Sequence, residues 1–527
     1  MIMNDYYLSP AGQSLVKRLR ELEAQAQQLQ SHPHHESTVS VAGVGKTVST
    51  AYEQLRNAAE YTEEHLLLQR AIRRFYTRSI SFYDKKLQSD IAEELIIELT
   101  QSGYLRNNSI SKQLLKDVEK LVKDYYEAYW QLRDERVSQE VASRWILDIV
   151  SVSTEGLFHF IDVHRTEICA DFAFDHYYTL LKKDFDGKIE QYDMALFIAV
   201  HRSLLKSDQA TVRAALLSRE QNRKHSFKNL QEFSDFNQQI DDLFSASSTD
   251  RLVRYINKYG APLRILNRLL HEETDASILE NRTSFLHAFE AQTEREYRRV
   301  EKKINRGVIK SIIFLFITKV IVGIAIEIPY DLYFHDKIIW LPLIINLLFP
   351  PLFMASLRLS MKLPKRANTD ALREYIDATF YQETPEARSL IIKPKNTAHS
   401  PLLNTMYIAM FLIIFSAVAL RLWLWDFSLV HILIFFIFLS TASFLGFRLS
   451  RLIRELEMVN TNQGAVAVIR DFAYTPFILV GSWISDKYSR INVVALVLDM
   501  AIELPLKTFL KLLRQWTQFL SDKRDEL

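Results

Sequence analysis

Residues 402–447 read LLNTMYIAMFLIIFSAVALRLWLWDFSLVHILIFFIFLSTASFLGF. Two apolar runs, Leu402 to Trp425 and Leu429 to Phe447, meet across Asp426, Phe427 and Ser428. Each is close to the ~20 residues that a helix needs to cross ~30 Å of hydrocarbon at ~1.5 Å per residue. The pattern predicts a helical hairpin in a bilayer. Toward the amino terminus, Val308 to Ile328 and Ile338 to Leu357 repeat it less cleanly. Four spans are therefore expected, as two hairpins over 307–357 and 402–449 joined by a cytoplasmic connector over 358–401.

Basic residues resist translocation and mark the cytoplasmic ends of spans. Lys302, Lys303 and Arg306 precede the first span, and Arg358, Lys362, Lys365 and Arg366 follow the second. Lys393 and Lys395 precede the third, and Arg448, Arg451 and Arg454 follow the fourth. The opposite connections, Pro329 to Lys337 and Asp426 to Ser428, carry Lys337 as their one basic residue, with Arg421 near the second. Both termini are expected in the cytoplasm. Too little chain is left outside for an adhesin, a ligand-binding ectodomain or an extracellular enzyme. The hairpins also look related: with Asp336 aligned on Asp426, an apolar run follows each, and Arg358-Leu359-Ser360 and Arg448-Leu449-Ser450 fall at the same offset. A hairpin duplicated in one orientation would produce this, and so would chance, since basic residues after a span are common.

The rest of the 527 residues looks different. The whole chain is 48% hydrophobic and 24% charged with few Gly and Pro, which excludes collagenous or wholly disordered classes. Its formal charge of +2 hides an asymmetry: residues 301–527 are net basic and the first 300 net acidic. Cys169, the single cysteine, cannot form an intramolecular disulfide. Met1 to Ser14 carries Asn4 and Asp5 rather than a basic patch followed by an apolar run, so no secretory signal is expected. An amino-terminal helix and flexible loop are expected over 1–49, and a cytoplasmic helical domain over 50–306. In that domain Leu114, Leu115, Val118, Leu121, Val122 and Tyr125 fall at helical spacing, Gly103 breaks one helix, and Asp250 and Gly260 bracket another. From Ser277 to Ile328 there is no proline, and charges alternate densely as in a coiled coil. One helix could run from the cytoplasm into the first span, with Gly307 as a place to bend.

Several strings invite chemistry. Gly43-Val44-Gly45-Lys46-Thr47 ends like a phosphate-binding loop, in which Lys46 would neutralise phosphate and Thr47 would help to hold magnesium, but Ser40 stands where the first glycine belongs and no hydrophobic strand precedes it. His159, Asp162, His164 and Glu167 are competent metal ligands, although the two histidines lie about 140° apart around a helix. Polar residues on a solvated helix face explain the same pattern. Within the spans, Lys319 sits near the centre of the first, where a charge costs ~3 kcal/mol. Lys310, nearer the edge, can snorkel, and Asn346 in the second span could add polar lining.

The region 450–527 is expected to be a cytoplasmic tail with membrane-surface helices. From Leu506 to Leu520 an apolar stripe runs beside Lys507, Lys511 and Arg514, with Trp516 among the apolar residues. A basic amphipathic helix with tryptophan suits the lipid headgroup boundary. Within Thr475 to Asp522, Pro476-Phe477, Ser489-Arg490-Ile491-Asn492, Leu498-Asp499 and Glu503-Leu504-Pro505 resemble the tail of uncharacterised multi-pass membrane proteins from small-genome bacteria. The resemblance implies a bacterial inner membrane and supplies no activity.

The expected architecture is all-α: a cytoplasmic multi-helix domain, a four-span helical region and a carboxy-terminal amphipathic helix. The leading functional expectation is an anchored scaffold or assembly protein with no catalysis or cofactor of its own, whose partners are the lipid bilayer, cytoplasmic or membrane proteins, or a homo-oligomer, with no nucleic acid. The first alternative is a transporter or channel subunit with Lys319 lining a polar path. The second is a membrane-bound metalloenzyme.

Overall fold

The computed structural model describes residues 8–31, 38–41, 46–59, 64–185, 189, 191–224, 230–273, 275–381, 401–458 and 474–485, with single positions 508, 509, 512, 516, 519 and 523, and most of these residues are helical, as apolar positions three and four apart suggest. Among the described residues the one β feature is an isolated bridge between Thr38 and Ser111. The chain forms two compact units.

The first takes in Met1–Asn257 and Leu270–Asn281. Its helices include α1 (Pro10–Ser31), α2 (Lys46–Ala59), α3 (Leu67–Ser79), α4 (Ile91–Gln101), α5 (Lys112–Asp134), α6 (Gln139–Phe158), α7 (Phe160–Phe185), α8 (Tyr192–Val200), α9 (Gln209–Lys224) and α10 (Leu230–Ser245). Ser111 and Ser138 cap α5 and α6 by accepting the amides of Leu114 and Val141. Gly103, at φ +85°, turns the chain after α4 as its position in the sequence suggests. The buried face of α5 runs through Val118, Val122, Tyr126, Tyr129 and Leu132, and Leu114, Leu115 and Tyr125 pack against the same core at its edge.

A buried charge network pins this unit. Arg213 on α9 is fully buried; its Nε donates to Asp148 Oδ2 on α6 at 3.2 Å, its Nη1 to Asn237 Oδ1 on α10 at 2.9 Å, and its Nη2 to Asp241 on α10. Arg73 on α3 donates to the other oxygen of Asp148. Trp145 Nε1, Arg144 and Gln209 complete the shell of Asp241 at 2.9, 2.7 and 2.7 Å. Four helices thus converge on two carboxylates. Burial pushes the Asp148 carboxyl up despite its two arginines, whereas the hydrogen bond from Trp145 and the Arg213 charge hold Asp241 low against burial.

The second unit takes in Lys258–Leu269 and Arg282–Ile491. The charged run 282–306 groups with the apolar helices in this unit. The helices α11 (Ser247–Tyr259), mostly in the first unit, and α12 (Ala261–Glu272), mostly in the second, are separated at Gly260. Next, α13 (Arg282–Val322), a π-turn over Gly323–Glu327 and α14 (Ile328–His335) form one uninterrupted helix of 54 residues. Gly307 does not bend it. A Cβ there would lie 2.6 Å from Leu449 Cδ2, so glycine serves close packing. The helix also passes Pro329 and continues to His335, where the sequence suggested an external loop. It is followed by α15 (Trp340–Ser360), α16 (Arg366–Tyr381), α17 (Pro401–Trp423) and α18 (Leu429–Arg454), with further helix at 474–485. Before α15 and α18 the chain turns at Asp336 (φ +54°) and Asp426 (φ +61°), so the aligned aspartates share one left-handed conformation.

Among the described residues three helices are long and apolar enough to cross a membrane: Arg282–His335, Trp340–Ser360 and Leu429–Arg454. In α17 the described stretch Ile408–Trp423 is also apolar, but shorter. Their outward faces expose Ile313, Ile317, Ile321, Leu348, Leu412 and Leu433, while Lys319, Glu327, Asp331, Asn346 and His431 are buried. Apolar outside and ionisable inside is the reverse of a water-soluble bundle.

Candidate functional site

The expectation that Lys319 must face a polar partner leads to the centre of the second unit. Its ammonium pairs with Glu327, eight residues further along the same helix. On a regular helix eight residues turn the chain to a position about 80° away from where it began. The π-turn between them absorbs one residue, the Ile328 amide donating to the Gly323 carbonyl five residues back. With that residue absorbed, the offset falls to about 20° and Glu327 comes onto the face of Lys319. Asp331, four residues on, shares that face. Pro329 lacks the amide that would hold the preceding turn in α register, which explains why the slip occurs here.

Two further helices close the site. Asn346 on α15 donates its side-chain amide to Glu327 Oε1 at 2.9 Å and to the His431 carbonyl on α18 at 3.2 Å. His431 Nε2 faces Asp331 Oδ1 at 3.5 Å, and its Nδ1 lies 2.8 Å from the hydroxyl of Ser428, the residue that caps α18. The other Asp331 oxygen accepts the Ile339 amide at 3.0 Å, just before α15. The Phe438 ring lies 5.2 Å from the Lys319 ammonium. Lys319, Glu327, Asp331, Asn346 and His431 are each 1% exposed or less. Four buried atoms among them, Glu327 Oε2, Asp331 Oδ1, Asn346 Oδ1 and His431 Nε2, make no hydrogen bond. A group left so costs about 1–3 kcal/mol, which a purely structural staple would have little reason to carry four times.

No protein family, curated protein or solved structure matches the chain. The geometry alone therefore carries the functional argument.

The remaining candidates lie apart from this site. Lys310 is exposed on the outer face of α13 and takes no part in the network. Lys46 and Thr47 are exposed at the start of α2, and the glycines before them lie outside the described residues. His159 and Asp162 pair at 3.7 Å, whereas His164 Nδ1 meets the Phe160 carbonyl at 2.9 Å and its ring lies against that of Phe160. Among the described residues no three His, Cys, Asp or Glu side chains gather as a metal site, so His159, Asp162, His164 and Glu167 are not brought together as ligands. Burial raises the Glu167 carboxyl. Lys507, Lys511 and Arg514 lie outside the described residues, whereas Trp516 is helical and 63% exposed.

One carboxyl near His159 has a measurable consequence. Burial pushes Glu155 up to about 7. In the unfolded chain the group ionises in the usual carboxylate range, so between there and about pH 7 the folded state holds a proton that the unfolded state has lost. Stability contributed here is complete at acid pH and falls as pH rises, by at most about 3 kcal/mol. Comparing thermal unfolding at about pH 5 and about pH 8, Glu155→Gln is expected to lose less stability across the interval than wild type. Equal losses would show that Glu155 ionises normally.

Proposed function

We propose that the chain is a multi-pass inner-membrane protein with four spans and cytoplasmic termini, and that its membrane part moves ions or an ion-coupled solute through the Lys319–Glu327–Asn346–His431–Asp331 site. The observation that supports this most is the connected set of ionisable groups buried inside a bundle whose exterior is apolar. Charged side chains in hydrocarbon are costly and mark ion and proton pathways in membrane proteins. The basic clusters flanking the apolar helices support the orientation, and the tail resemblance supports a bacterial inner membrane.

Arrangement matters as well as composition. The site is built from two charge-bearing halves on one helix, re-phased by the π-turn, and bridged by an amide from a second helix to a third. A small shift of α13, α15 or α18 would break and remake these contacts, as alternating states require. Purified protein in proteoliposomes is expected to dissipate an imposed ion gradient faster than empty vesicles. If no gradient is affected, the polar site only holds helices together, and the anchored scaffold becomes the better account.

A further inference from the structure

The site contains two carboxylates, Glu327 and Asp331, against one ammonium group, Lys319. With a neutral imidazole at His431 it carries one uncompensated negative charge, and one added proton cancels it. His431 is built to take that proton. Its Nε2 faces Asp331 Oδ1 at 3.5 Å, and neither atom has a hydrogen-bond partner. An imidazole lone pair aimed at a carboxylate would be repulsive, so a proton must lie on one atom or the other. On the opposite side of the ring, Nδ1 lies 2.8 Å from the Ser428 hydroxyl, which can donate to a neutral imidazole or accept from an imidazolium. Both charge states fit with no more than rotation of one hydroxyl.

We infer that the ion handled at this site is a proton, which enters on His431 Nδ1 from the Ser428 side and leaves from Nε2 to Asp331. In the first step a hydronium O–H bond breaks, an Nδ1–H bond forms and water remains. In the second the Nε2–H bond breaks, Asp331 Oδ1 becomes protonated, and the imidazole returns to neutrality with its hydrogen on Nδ1. Ser428 lies in the short connection between α17 and α18, the end away from Arg451 and Arg454, so under the proposed orientation the proton enters from outside the cell. Among the described residues the charged and titratable groups around His431 are Asp331 and His335 on α14, Glu327 on the π-turn and Lys319 on α13. Asn346 on α15 and the Tyr330 ring are its uncharged neighbours.

This inference rests on the ion-moving function, and its test needs no flux. The full chain, labelled with 15N-histidine and held in lipid nanodiscs, would be titrated, and His431 assigned by difference from His431→Gln. Wild type is expected to show a neutral Nε2–H ring at high pH and an imidazolium at low pH. In Asp331→Asn the new carboxamide oxygen still accepts the Ile339 amide while its NH2 faces Nε2, so the neutral ring is expected to switch to the Nδ1–H form. A pH-invariant His431, a neutral Nδ1–H ring in wild type, or an unchanged tautomer in Asp331→Asn would overturn the inference. Should Asp331→Asn fail to fold, Ser428→Ala serves in its place: it removes the acceptor of Nδ1–H, and the imidazolium signal is expected to be lost over the same pH range. A persistent signal would count against the proposed entry. A titrating His431 in a protein that moves no ions would retain the proton site and remove the transport function; ion movement with a silent His431 would do the reverse.

Discussion

Glu327→Ala is expected to destabilise the apolar unit by about 3–5 kcal/mol, the cost of leaving one member of a buried ion pair without the other. Without Glu327, the Lys319 ammonium keeps, among the described residues, the Phe438 ring 5.2 Å away, and is too far from either end of its span to reach water easily. Asn346 loses its shorter hydrogen bond and keeps the one to the His431 carbonyl. Lys319→Met is milder, because a carboxyl can neutralise itself by binding a proton and the Asn346 amide still donates to it. The double variant Lys319→Met with Glu327→Leu is expected to recover most of the loss, because apolar residues of similar volume replace both charges and nothing charged remains stranded. Denaturant titration of the protein in nanodiscs, with Glu327→Leu added as the matching single variant, measures all four corners of this cycle. Additive single losses would show that the two side chains do not form a pair.

The second large effect lies in the other unit. Arg213→Met is expected to cost about 3–5 kcal/mol. The lost guanidinium contacts two carboxylates on different helices and donates to Asn237 as well. After its removal Asp148 retains Arg73, and Asp241 retains Arg144, Trp145 and Gln209, but the bridge that Arg213 makes between the two carboxylates is gone. Burial already pushes the Asp148 carboxyl up with both arginines present, so the variant is expected to hold a proton there at higher pH than wild type. Arg144→Met is the informative contrast, because that side chain is 43% exposed and its pair with Asp241 is worth about 1 kcal/mol or less. Proteolysis of partly unfolded protein in urea would separate the two; equal susceptibility would mean that the buried network adds nothing beyond a surface pair.

Much of this architecture is written openly in the chain. Helical spacing in α5, the break at Gly103 and the apolar runs over 308–357 and 402–447 need no tertiary information, since length and polarity alone separate a span from a soluble helix. Lys319 and Asn346 were also legible, as polar residues in apolar surroundings. Their partners were not. Glu327 and Asp331 sit at the end of the first span, and a constant helical pitch points Glu327 well away from Lys319. The available signal was local: Gly323 and Pro329 bracket Glu327, and both disturb α register. His431 lies in the first turn of α18 and carries no signal in the sequence, because its role depends on α14 and α15 lying beside it. The Arg213 network was hidden for a related reason. Asp148, Arg213 and Asp241 are scattered over almost a hundred positions, and no periodicity announces that four helices will meet around them. His159, Asp162, His164 and Glu167 stand close in sequence, yet among the described residues no three such side chains gather.

The most direct test of the central claim measures ion movement in a protein whose fold is assured. Lys319→Met with Glu327→Leu is expected to fold while lacking the charges of the site. Reconstituted at equal density with wild type, it should leave an imposed proton gradient as stable as empty vesicles do, whereas wild type dissipates it. Equal dissipation by both proteins would contradict the claim that ions move through the Lys319–Glu327 site.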